Sequence, residues 1–381
     1  MNPAFKAAVL GPTRVGKTTL LTAILDETKQ MLAGTGVIIS LDERTQRRVR
    51  THRQEMQQAL LQREFNAYAL AGTQDEAYYH VSLQSVADED VRIPFSILDY
   101  PGKWLDPDFL DTVADGKRKW RECEEHIKAS VMLLVPIDAS ILMEAETPPQ
   151  RGAVPGLLQF GDVEEVARKW ASTRNLAEHH HEPAVLVLAP LKCEKYFDDN
   201  GGWGRDADEL RKRVAEWYGP MLDIVRGEAT QRDIKIIYAP IDTYGVVELM
   251  EADWPRESDG RLGFRAHYRI RGDKTTPSVK AAGAVMTALC QCVVDGWAVA
   301  EGRVLAARQH DYARLVARDR ERKGFWGTIG YYVSGESARN AADQGKTAME
   351  ITQIEQRQQQ VRKSVEALAA TAYDPRVEPW S

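Results

Sequence analysis

Residues 11–18 read Gly-Pro-Thr-Arg-Val-Gly-Lys-Thr, two glycines four residues apart followed by Lys-Thr. This spacing suits phosphate chemistry. The glycines let backbone N–H groups turn towards phosphate oxygens, and Lys17 brings a cation to the β- and γ-phosphates. Thr18 offers a hydroxyl to Mg²⁺, and the helix that follows points its positive end at the anion. Gly11, Thr13, Arg14, Val15, Gly16, Lys17, Thr18 and Thr19 form the candidate phosphate-facing set. The setting agrees: Phe5 to Leu10 is a short apolar run with the character of a buried strand, and Lys17 to Leu32 has helical character.

A second motif lies in Phe95-Ser96-Ile97-Leu98-Asp99-Tyr100-Pro101-Gly102. An apolar strand would deliver Asp99 to its carboxyl end, where a carboxylate can hold Mg²⁺ through water. Gly102, three residues on, can bring its N–H to a γ-phosphate.

The two motifs together resemble the translation-factor-related class of P-loop GTPases, over about residues 5–300. The Asp-Tyr-Pro-Gly version, the long stretch before it and the chain length resemble the bacterial YcjX-like and double-GTPase group within that class. The resemblance implies a sheet with one antiparallel strand and a GTP-dependent switch. It also implies a switch threonine ahead of the second strand, whose hydroxyl reaches Mg²⁺ and whose N–H senses the γ-phosphate. Thr73 fits that place, with Thr45 and Thr51 as competitors. Guanine recognition in the class uses Asn/Thr-Lys-x-Asp after a later strand. Here Leu191-Lys192-Cys193-Glu194 occupies that place. Lys192 could lie over the base, and Glu194 could accept from the guanine N1 and N2 donors. Leu191 and Glu194 both depart from the pattern. Pro240-Ile241-Asp242-Thr243 stands where the last base loop belongs and lacks its usual small residues. Many relatives place a glutamine after the glycine of the second motif. Here Lys103 follows, and an ammonium cannot accept a hydrogen bond from attacking water. Arg14 could supply positive charge to the transition state in cis, or it could face solvent or a partner.

The elements that must position these residues follow from the apolar pattern. Strands are expected at Tyr78 to Val86, Ile93 to Leu98, Val131 to Ile137, Ala184 to Leu188 and Ile234 to Ala239. Helices are expected at Val163 to Ser172 and Ala207 to Arg226. Their alternation argues for an α/β fold, a three-layer P-loop NTPase with a mostly parallel sheet. Ser40 and Glu43 have capping-box spacing, which predicts a polar helical insertion over about 40–68 with Val49, Met56, Leu60 and Leu61 as its stripe. A domain of residues 1–275 would then carry a C-terminal extension, residues 276–381. Thr276-Pro277 predicts the start of a long helix, Gly324 to Gly335 a break, and Glu336 to Ala370 a second helix with a heptad-like seam, together a helical hairpin. The tail from Tyr373 is expected to fray.

Composition narrows the function classes. The 381 residues are 43% hydrophobic and 28% charged, enough for a buried core, and the net charge of -6 gives no footing for nucleic acid. Four cysteines without a CxxC pair fit a reducing compartment, and the apolar runs are all short of the ~20 residues of a membrane span. A cytoplasmic location is expected. His179-His180-His181-Glu182 could bind metal but reads better as a solvated loop. The arginines of 303–323, followed by Phe325-Trp326, could contact a protein partner or, less readily, a membrane surface. The heptad seam could pack within the chain or pair with another copy. The expectation is a GTP/GDP-binding, Mg²⁺-dependent and slow hydrolase acting as a molecular switch or assembly regulator. The alternatives are an ATP-hydrolysing enzyme and a nucleotide-holding scaffold.

Overall fold

The computed structural model describes residues 4–61, 65, 72–86, 92–179, 182–198, 206–231, 233–272, 276–291, 359 and 374–380. The chain order is β1 (Phe5–Val9), α1 (Lys17–Met31), β2 (Val37–Leu41), α2 (Glu43–Leu60), β3 (Ala77–Ser85), β4 (Arg92–Asp99), α3 (Pro107–Leu110), α4 (Gly116–Lys128), β5 (Met132–Asp138) and α5 (Ala139–Met143). It continues with α6 (Pro148–Leu157), α7 (Phe160–Thr173), β6 (Val185–Leu191), α8 (Ala207–Glu228), β7 (Lys235–Tyr238), β8 (Val247–Asp253), β9 (Arg265–Ile270) and β10 (Glu378–Pro379).

Eight strands form one sheet in the order β10-β7-β6-β5-β1-β4-β3-β2. The run from β7 to β4 is parallel, β3 is antiparallel to β4 and to β2, and β10 is antiparallel to β7. Successive residues face opposite sides of a strand, so the apolar runs feed two cores at once. Ala7, Val9, Ile97, Leu134 and Val187 join one core, beneath α1. Ala8, Leu98, Leu133, Leu186 and Leu188 join the other, beneath α4, α7 and α8. The fold is thus α/β, with a mostly parallel central sheet and helices on both sides. No helix among the described residues is long and apolar enough to cross a membrane.

Three expectations need correction. Helix α2 is capped by Asp42, whose carboxylate accepts from Thr45 N, because Ser40 lies inside strand β2 and cannot turn back as a cap. Val49, Met56 and Leu60 are buried as expected, whereas Leu61 is 70% exposed. Secondly, the helix foreseen from Pro277 starts at residue 282. Lys280 first makes a bridge with Asp242, and Val285, Met286 and Leu289 then join the core of the sheet. The sheet's core therefore runs past residue 275. Thirdly, the tail does not fray: Trp380 N donates to Ile236 O, its ring packs on Tyr238, and Arg376 forms a buried ion pair with Asp242 at 2.8 Å. Apart from residue 359, the rest of the predicted hairpin lies outside the described residues.

A separate hairpin, β8–β9, pairs only with itself in the sheet ladder. It rests on a third apolar cluster built from Met56, Ala59 and Leu60 of α2 with Phe65, Tyr244, Val246 and Val247. Helix α2 thereby reaches from the β2 edge to the turn after β7.

Candidate functional site

Strand β1 lies between β4 and β5, and the loop from Gly11 to Gly16 leaves its carboxyl end. In an open α/β sheet this is where a crevice forms, since the connections depart to opposite sides. Gly16 takes φ 105°, a conformation open to glycine and costly for other residues, and so turns the chain directly into α1. Lys17 folds back into the loop, and its Nζ donates to Gly11 O and Pro12 O, each at 2.9 Å. The ammonium is also 5.5 Å from the centre of the buried Tyr100 ring. Burial lowers the Lys17 pKa to about 8 against the opposing pull of Asp99. An anion bound in the loop would favour the charged lysine.

Thr18, Thr73 and Asp99 meet at one point. Thr18 Oγ1 donates to Asp99 Oδ2 at 2.7 Å, Thr73 Oγ1 donates to the same oxygen at 3.2 Å, and the two hydroxyl oxygens lie 2.9 Å apart. Asp99 is fully buried, and its other oxygen, Oδ1, has no hydrogen-bond partner. Leaving a buried carboxylate oxygen unpaired is costly. Burial raises the Asp99 pKa, opposed by Lys17 and by the two hydroxyls. A carboxylate and two hydroxyls are hard oxygen donors, the kind Mg²⁺ takes alongside water, and the orphaned Oδ1 gives such a cation a place. No group of three or more His, Cys, Asp or Glu side chains able to hold a metal occurs among the described residues. The competitors of Thr73 are elsewhere: Thr45 is buried, its Oγ1 accepting from His80 N at 2.9 Å, and Thr51 is exposed on α2.

Gly102 sits directly on the 11–18 loop. A Cβ there would stand 2.2 Å from Thr13 N and 2.3 Å from Pro12 C, so any side chain would push the two segments apart. Lys119 of α4 links this turn to the Thr73 segment, with Nζ 2.7 Å from Asp75 Oδ1 and 5.8 Å from the Trp104 ring centre. Thr13 and Arg14 are exposed, and Arg14 has φ 65°. Val15 is buried. Thr19 is engaged by a residue absent from the sequence reading. His52 Nε2 of α2 lies 3.1 Å from Thr19 Oγ1, and His52 Nδ1 lies 3.2 Å from Glu55 Oε2. Only the fold brings α2 over α1, so no local signal marks His52.

The base side differs from expectation. Lys192 reaches the loop, its Nζ 3.3 Å from Arg14 O, and pairs with Asp138 at the end of β5. Asp138 was not foreseen. It also caps α5 by accepting from Ser140 N and Ile141 N. Glu194 is only 3% exposed, and its Oε1 accepts from Tyr244 N at 3.3 Å and Gly245 N at 3.2 Å. Burial first, and then Asp242, push its pKa up to about 8. In this arrangement the carboxyl group is committed to this turn and presents almost no surface.

His179 pairs with Glu182 at 2.7 Å, while His180 and His181 lie outside the described residues. A separate depression of about 490 Å³ beside α4, lined by Lys6, Tyr78, Arg118, Glu122 and His126, is away from this site, at the amino-terminal part of β1. Comparison of the chain with protein-family models gives no match, and comparison with curated proteins gives none either.

Proposed function

We propose that this chain is a P-loop nucleotide-binding protein that takes a nucleoside triphosphate with Mg²⁺, GTP first among the candidates, and hydrolyses it slowly as a switch. The observation that carries the reading is the meeting of Thr18, Thr73 and Asp99 from three distant parts of the chain around an unpartnered carboxylate oxygen, beside Lys17. Bound Mg²⁺ would offset charge on the β- and γ-phosphates. Thr18, Thr73 and Asp99 are the residues that would hold it. Lys17 would exchange its two carbonyl partners for phosphate oxygens. Gly102 and Thr73 sit on separate segments that would both sense a γ-phosphate, and Arg14 would add positive charge at the rim. Slow turnover follows from Lys103, whose ammonium lies 5.2 Å over the Phe109 ring and has no lone pair to orient water.

The inward turn of Glu194 favours a second reading, ATP or weak choice between bases, because the carboxylate that would select guanine is already occupied. Calorimetric titration with GTP and ATP, with and without Mg²⁺, tests both. Binding should be lost in Lys17→Ala, and Asp99→Asn should bind without Mg²⁺ dependence. Lys17→Ala binding as well as the wild type would sink the phosphate-loop reading. Equal affinity for GTP and ATP would replace the first reading with the second.

A further inference from the structure

The β8–β9 hairpin lies outside every motif in the sequence, yet it reaches the base side of the site. Tyr268 on β9 places its hydroxyl 3.3 Å from Ser140 Oγ. Ser140 N donates to Asp138 Oδ1 at 3.1 Å, Asp138 Oδ2 takes the Lys192 ammonium, and Lys192 Nζ lies 3.3 Å from Arg14 O. A continuous polar chain thus joins Tyr268 to the phosphate loop. The ring also has apolar neighbours. Phe65 meets Tyr268 edge-on, with centres 6.1 Å apart and an interplanar angle of 88°, and Phe65 meets Tyr244 at 4.8 Å and 72°. The backbones of Phe65 and Tyr268 are bridged, so both rings are held by main-chain contacts. Tyr268 itself is half-buried and packs at the margin of the third cluster. Its ring is packed by Phe65, and its hydroxyl is set among the groups beside the phosphate loop.

From this arrangement we infer that Tyr268 is the aromatic wall against which the base of a bound nucleotide packs, with the Lys192 stem beside it. The inference rests on the nucleotide reading above and adds to it a residue from an element unconnected with the two motifs. An aromatic face attracts any nucleobase, because every base has a π-face. The wall therefore supplies affinity for the base without reading its edge. This is consistent with a Glu194 that faces its own backbone turn.

The test compares wild type, Tyr268→Ala and Tyr268→Phe in the full chain, titrated with Mg²⁺ and GTP, ATP or tripolyphosphate. Tripolyphosphate has the phosphates without the base. Tyr268→Ala should weaken GTP and ATP about tenfold, within the range of one base–aromatic contact, and leave tripolyphosphate unchanged. Tyr268→Phe should bind both nucleotides within about twofold of wild type, since it keeps the ring. Unchanged nucleotide affinity in Tyr268→Ala overturns the wall alone. Equal loss for all three ligands also overturns it, by showing that the hairpin merely supports the fold. A wild type that binds none of them overturns the phosphate-loop reading and the wall together.

Discussion

Gly102 shows how one missing side chain sets the spacing of the site. Its α-carbon rests on the Pro12–Thr13 backbone, so Gly102→Ala must move either the loop or the turn. Overpacking of this kind costs about 1–3 kcal/mol. The variant should show that loss in urea unfolding and a nucleotide affinity at least about tenfold lower in calorimetry, since 1.4 kcal/mol at the loop is tenfold. His126 offers a pH signature. It lies on the buried face of α4, with Nε2 3.1 Å from Ala7 O and 3.2 Å from Ser96 O, tying together the strands that deliver the loop and Asp99. Burial lowers its pKa from 6.5 to about 4. Between those values the unfolded chain holds more protons than the folded one, so stability falls as pH drops through the window. His126→Gln keeps a donor but cannot titrate, and its urea midpoint should vary less between pH 6.5 and 4.5 than that of the wild type.

At the scale of elements, the carboxyl-terminal strand is the clearest case. Arg376 and Asp242 are almost fully buried, so each holds the other's charge out of water. Arg376→Ala would leave Asp242 without this partner, at a cost of about 3–5 kcal/mol. Asp242→Asn combined with Arg376→Met should cost less than the sum of the single changes. A double-mutant cycle in urea checks this, and strict additivity would show that the pair is uncoupled. The strand itself could not be foreseen from its two residues. Glu378 and Pro379 carry no alternation, and they become a strand only because the β7 edge is there to accept them. The longer strands were legible because alternating burial on two faces leaves near-continuous apolar runs. The β8–β9 hairpin was not, because much of it is exposed and its pattern of mixed charge reads as loop.

Across the whole molecule, two segments linked by Lys119 flank the loop, the one at 72–76 and the one at 102–105. If both sense a γ-phosphate, they should respond together. Hydrogen exchange in both should slow more with Mg²⁺ and a non-hydrolysable triphosphate than with the diphosphate. Lys119→Ala should uncouple them with little change in global stability, since a solvent-screened ion pair contributes little to folding. Protection in one segment alone in the wild type would argue against a joint switch.

The amino-acid order by itself determined the parts that depend on local spacing. The Gly11-to-Thr18 loop between strand and helix, and Asp99 at a strand end, can be read within about ten residues of chain, because backbone geometry and apolar period are local properties. Tertiary structure decided which distant residues join them. It brought Thr73, rather than Thr45 or Thr51, to Asp99, since β3 and β4 pair with Ala77 opposite Asp99. It turned Glu194 towards the 244–245 amides, laid His52 on Thr19, and set Tyr268 beside the Asp138–Lys192 pair. Each of these is a contact between residues more than 25 positions apart. Such a contact depends on which elements pack together, and no spacing within a single segment encodes that.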